Sequence, residues 1–207
     1  MALGAVSRGG LTRGDPRACD HDLGLHENYI PCGIVDEDSA RLRLTFGSSF
    51  KTSDCIVDAL EAWWAALEEA EQVTMGRLQI KRDNGPESSG IRTQFLHRMV
   101  QFADQMGKPI HLLYYPPYHS KYNPIERCWG ILELHWNGTK LVDVKTMLEW
   151  AKSMPWQGLH PIVELSRKVY QKGIALSKKA MQAIESRLER HPALPKWDIL
   201  IRPASAL

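Results

Sequence analysis

The chain has 207 residues, 43% of them hydrophobic and 24% charged, with no run near the roughly 20 apolar residues of a membrane span, so it reads as one soluble globular domain with an appendage. Its net charge of +2 hides an uneven distribution, because residues 140–207 hold 12 basic and 6 acidic residues whereas residues 1–139 hold 14 and 18. An acidic body therefore precedes a basic tail, which keeps a nucleic-acid partner open.

The start, Met1 to Gly10, has too short an apolar run for a signal peptide. Cys19, Cys32, Cys55 and Cys128 form no Cys-x-x-Cys pair and read as reduced thiols in a cytoplasmic protein. Residues 7–28 lack periodicity and read as an irregular segment. Tyr29 to Val35 and Arg41 to Phe46 flank the polar stretch Asp36-Glu37-Asp38-Ser39, the pattern of an antiparallel hairpin. Thr52-Ser53-Asp54 supplies an N-cap for a helix whose apolar stripe is Ile56, Val57, Leu60, Trp63, Trp64 and Leu67.

A short strand, Arg77 to Arg82, runs into Asp83-Asn84-Gly85-Pro86, and a second amphipathic helix follows from Ile91 to Met106. Ile110 to Tyr115 is a continuous apolar run, which predicts a strand buried on both faces and paired in parallel with its predecessor. Asn123-Pro124 opens a helix through Glu126, Trp129 and Leu132 that ends at Asn137-Gly138. From residue 140 onward the sequence reads as a basic helical extension, with one helix over Val142 to Lys152 and a longer amphipathic one through Ile174, Met181, Ile184 and Leu188. The expected domains are thus 1–139 and 140–207.

Asp83 follows a strand and Glu126 lies on the first turn of a capped helix, so both carboxylates stand at element ends, where they could converge. Carboxylate oxygens suit hard divalent cations and, with two such ions, phosphoryl transfer. Each residue also has a local reading: Asn123-Pro124-Ile125-Glu126 fits a capping box, and Asp83-Asn84-Gly85 fits a turn. Spacing alone leaves these readings open and favours the cap.

The stretches Asp83 to Phe95 and Tyr114 to Gly130, together with Ser7-Arg8-Gly9-Gly10, Asp20-His21-Asp22, Thr52-Ser53-Asp54 and Trp136-Asn137-Gly138, resemble the DDE transposases of bacterial insertion sequences, in the branch of the Rhodopirellula-type transposase DDE domain. The resemblance implies an α/β fold of the RNase H type, a mixed sheet flanked by helices. It also implies a pair of Mg2+ or Mn2+ ions and cutting and joining of DNA at transposon ends and target, with Asp83 as the second catalytic Asp and Glu126 as the catalytic Glu.

The family's first catalytic Asp lies before the Ser-Arg-Gly-Gly segment, yet no Asp precedes Asp15 here. The expectation is an N-terminally truncated transposase whose first strand is incomplete at Met1 to Val6, whose metal pair is weakly held, whose activity the missing Asp puts in question, and whose uncovered strand edges lower its stability. Arg8, Arg13, His119 and Lys121 are the candidate DNA phosphate contacts, and the tail adds a diffuse basic surface. The tryptophans are assigned to packing. Homo-oligomer formation is open, and the alternatives to catalysis are a non-catalytic DNA-binding or oligomerising remnant and another RNase H-like nuclease.

Overall fold

The computed structural model describes residues 28–117, 119 and 122–204, with the backbone of Gly4–Ala5. In chain order the elements are β1 (Gly4–Ala5), β2 (Ile30–Val35), β3 (Leu42–Gly47), α1 (Ser53–Ala65), α2 (Glu69–Thr74), β4 (Leu78–Arg82), α3 (Thr93–Met106), β5 (Ile110–Tyr114), α4 (Pro124–Trp136), β6 (Lys140–Leu141), α5 (Val144–Ser153), β7 (Ile162–Ser166), α6 (Lys178–Glu185), β8 (Leu188–Arg190) and β9 (Asp198–Ile201). The fold is α/β, with mixed sheets flanked by helices. The chain divides into two compact units, one formed by residues 1–50 and 124–169 and the other by 51–123 and 170–207.

In the first unit β2 and β3 pair antiparallel, with Val35 opposite Leu42, as the alternating sequence predicts. Their connection is held by the Asp36 carboxylate, which accepts from the Asp38 and Ser39 amides at 3.0 and 3.3 Å. The parallel neighbour of β3 is β7, a strand within the segment expected to be a helical extension. Arg43, nearly buried, meets Glu164 across that pair at 2.7 Å, so the charge entering the sheet arrives with its counter-ion. The core joins Tyr29, Leu44 and Phe46 to Cys128, Leu132 and Trp136 of α4 and Met147 and Ala151 of α5. At Gly33 an added Cβ would lie 2.8 Å from the Trp129 ring, so α4 rests directly on the β2 backbone.

In the second unit the sheet order is β4-β5-β9-β8, with β4 and β5 parallel as predicted and β9 and β8 antiparallel beyond them. Helix α1 starts at Thr52, whose hydroxyl accepts from the Cys55 amide, and α3 stops at Gly107 with φ 63°. Phe95, Met99 and Phe102 of α3 are buried, each contributing about 1.5–3 kcal/mol by transfer from water. Arg98 leaves the same helix for Asp54, Asp58 and Glu61 at 2.7, 2.8 and 3.0 Å and fastens α1 to α3. These three carboxylates hold its guanidinium well above the ordinary arginine value, against the burial that alone would lower it.

Several expectations change. Strand β5 alternates, with Ile110, Leu112 and Tyr114 buried and His111 and Leu113 half-buried, because His111 turns to Asp198 of β9 at 2.8 Å. The segment after residue 140 is helical only in part: it also supplies β6 to β9, and its residues 140–169 and 170–207 belong to different compact units. Helix α6 ends at Glu185 because Leu188, although on the helical face, pairs with Ile201 as a strand. Near the start, Gly4–Ala5 pairs antiparallel with β6. Cys32, Cys55 and Cys128 are free thiols, and burial pushes Cys128 up to about 12, which keeps it inert.

Candidate functional site

Asp83 is the first residue after β4, and the backbone behind it is pinned by the Tyr115 amide donating to Arg82 O at 2.9 Å. The Arg82 guanidinium itself lies over the Phe95 ring at 4.9 Å. The loop that follows is tied at several points: Asn84 Oδ1 accepts from the Gly90 amide at 3.3 Å, Ser53 Oγ donates to Glu87 O at 2.7 Å and Tyr114 OH donates to Ser88 O at 2.8 Å. Burial pushes the Tyr114 phenol up to about 12, against the Arg82 and Arg190 guanidiniums that lower it, so it remains a donor across the physiological range. Gly90 admits no side chain, since a Cβ there would overlap the Lys196 carbonyl.

The Asp83 side chain is exposed, and its Oδ2 accepts from Asn123 Nδ2 at 3.2 Å. The tight turn lies further on, where the Ser88 amide donates to Gly85 O at 3.1 Å. Asn84 ties the loop whereas the Asp83 side chain takes no part in the turn, so the turn reading of Asp83-Asn84-Gly85 describes Asn84 and Gly85 better than Asp83.

Glu126 is in the first turn of α4 and is exposed. No hydrogen-bond or ion-pair partner engages its carboxylate among the described residues, so the bond back to the Asn123 amide expected of a capping box is not made. Its helix is fixed by buried Cys128, Leu132 and Trp136 and by Trp129 on Gly33. Asp83 and Glu126 belong to different units. No group of three or more His, Cys, Asp or Glu side chains that could hold a metal occurs among the described residues.

His119 is exposed and stacks on Tyr122, with centroids 6.0 Å apart, while its Nδ1 meets Pro117 O at 2.8 Å. Arg8, Arg13 and Lys121 lie outside the described residues, as does Cys19. The basic tail is less free than its charge suggests. Arg187 pairs with Asp104 and donates to Arg202 O, Arg190 pairs with Glu185 and donates to Gly90 O, and Arg202 pairs with Glu189. Sequence reasoning took Asn123 for a helix cap and missed it as the partner of Asp83, a contact across 40 residues that local spacing does not signal.

Mixed sheets flanked by helices make this an α/β protein, an architecture consistent with a DDE fold. The family model for the Rhodopirellula transposase DDE domain matches residues 1–203, and the chain belongs to that transposase family. Neither a curated protein nor a solved structure matches it. No helix among the described residues is long and apolar enough to cross a membrane.

Proposed function

We propose that this chain carries out the DNA cutting and joining of transposition on an RNase H-like core, with Asp83 and Glu126 as its divalent-cation ligands. The observation that carries this reading is the family match over residues 1–203. The donor set fits a hard cation: both side chains are carboxylates, both face water, Glu126 has no competing cationic partner among the described residues, and Asp83 meets a neutral amide. When bound, Mg2+ or Mn2+ supplies activation of water or a 3′-hydroxyl and neutralises charge developing at phosphorus.

The chain's own residues hold and orient. Asp83 offers oxygens from a tied loop, and Glu126 offers its carboxylate from a helix whose opposite face is buried. His119, Lys121, Arg8 and Arg13 take DNA phosphates, positioning the strand without reading its sequence. Duplex DNA carrying transposon ends is the substrate for cleavage, and target DNA the acceptor for joining.

The test is Mg2+-dependent cleavage of transposon-end DNA by the wild-type chain, with Asp83→Ala and Glu126→Ala as controls. Cleavage lost in both variants while DNA binding persists supports the assignment; cleavage that survives either variant overturns it. A second reading is a chain that binds DNA without cutting it, in keeping with the described residues holding no group of three or more His, Cys, Asp or Glu side chains suited to a metal. Salt-dependent DNA binding with no cleavage by the wild-type chain is its signature.

A further inference from the structure

The loop that carries Asp83 is fixed through its backbone and through Asn84, Glu87, Ser88 and Gly90. None of those bonds restrains the Asp83 side chain, which keeps its own torsions. The bond that does act on it comes from Asn123, a side chain 6% exposed that sends Nδ2 to Oδ2 of the exposed carboxylate at 3.2 Å. With that oxygen's direction set, Oδ1 has a defined place in solvent.

The character of the donor matters as much as its position. Elsewhere in the same unit, seven carboxylates among the described residues are held by cations: Asp54, Asp58 and Glu61 by Arg98, Glu87 by Arg92, Asp104 by Arg187, Glu185 by Arg190 and Glu189 by Arg202. A guanidinium orients a carboxylate but cancels its charge and competes with any other cation. A neutral amide orients it and leaves the full negative charge available.

We propose that Asn123 is a positioning residue that aims the Asp83 carboxylate at a divalent cation without neutralising it. This rests on the reading of Asp83 as a metal ligand. The arrangement matches the general behaviour of hydrogen bonds to ligating carboxylates, whose loss weakens metal binding by about 10–100-fold.

The test titrates the full chain with Mn2+ alone and follows the free ion by electron paramagnetic resonance, alongside thermal melting. Asn123→Ala is expected to weaken Mn2+ binding by about 10–100-fold, and Asn123→Gln, which keeps an amide donor, to recover part of the loss at an equal melting temperature. Mn2+ binding unchanged in Asn123→Ala but lost in Asp83→Ala overturns the role of Asn123 and leaves Asp83 standing. Binding unchanged in Asp83→Ala overturns the reading of Asp83, and the proposal with it. A measurement on the wild-type chain covers variants that fail to fold: the assigned side-chain amide signals of Asn123 should shift on addition of Mg2+, and signals that do not move overturn the proposal.

Discussion

The two units secure their acidic side chains by different means. In the unit of β4 and β5, Asp83 sits on a loop that Tyr114 ties at Ser88, and its side chain is held by a hydrogen bond from Asn123, 40 residues along the chain. In the unit of β2 and β3, Glu126 sits on a helix and makes no such bond among the described residues, so its placement comes from the packing beneath it. A loop needs polar ties to hold a side chain still, whereas a helix passes on the rigidity of its buried face. Each arrangement therefore has its own point of failure.

The largest expected effect is at the packed end. Trp136 is fully buried, with its ring 6.0 Å from Phe46, so Trp136→Ala should cost about 3–5 kcal/mol in urea denaturation. Hydrogen exchange should rise across α4 and β3 and stay unchanged in α3. Equal loss of protection in α3 would break the contrast between the units.

Gly90→Ala tests the other end, since its Cβ would overlap the Lys196 carbonyl and a backbone atom cannot swing away. The expected cost is about 1–3 kcal/mol, with exchange rising in the loop after Asp83 and in β8 and β9. Gly33→Ala should cost less, at the low end of the same range of about 1–3 kcal/mol, because the flexible tip of Ile125 can yield even though the Trp129 ring cannot. It should also weaken Mn2+ binding in proportion to the displacement of α4, if Glu126 is a ligand. A Gly33→Ala chain that binds Mn2+ like the wild type would show that packing under α4 does not govern Glu126.

The parts legible in the sequence were those encoded over a few residues. The hairpin of β2 and β3 follows from alternation, the start of α1 from Thr52 and the end of α3 from Gly107. Strands β7 and β9 were not legible, because each is paired with a strand far along the chain, as Val163 is opposite Leu44 and Ile201 opposite Ile110, and β8 has only three residues. Leu188 even continues the apolar spacing of α6, and tertiary pairing overrides that local pattern. At the site, the types and positions of Asp83 and Glu126 could be read, but the role of Asn123 could not. A buried amide whose partner lies 40 residues away looks like any other cap before the fold is known.

The smallest effect separates the units by how each holds a carboxyl low. Burial alone would raise Asp104, but the Arg187 guanidinium and the Ala204 amide outweigh it and hold it below the ordinary carboxylate range. Asp143 is held low mainly by the Thr146 amide it caps at the start of α5. In both cases the unfolded chain binds the proton more readily than the folded one, so the stabilisation is present above the ordinary carboxyl value of 3.8 and is lost as pH falls through the lower folded value. The ionic contribution should be screened by salt more than the backbone cap. Arg187→Gln should flatten the loss of stability below about pH 4 at low ionic strength and make little difference in 1 M salt. Asp143→Asn, which keeps a capping oxygen but cannot titrate, should flatten it at both ionic strengths. Identical salt responses in the two variants would show that the acid sensitivity of the units has a single origin.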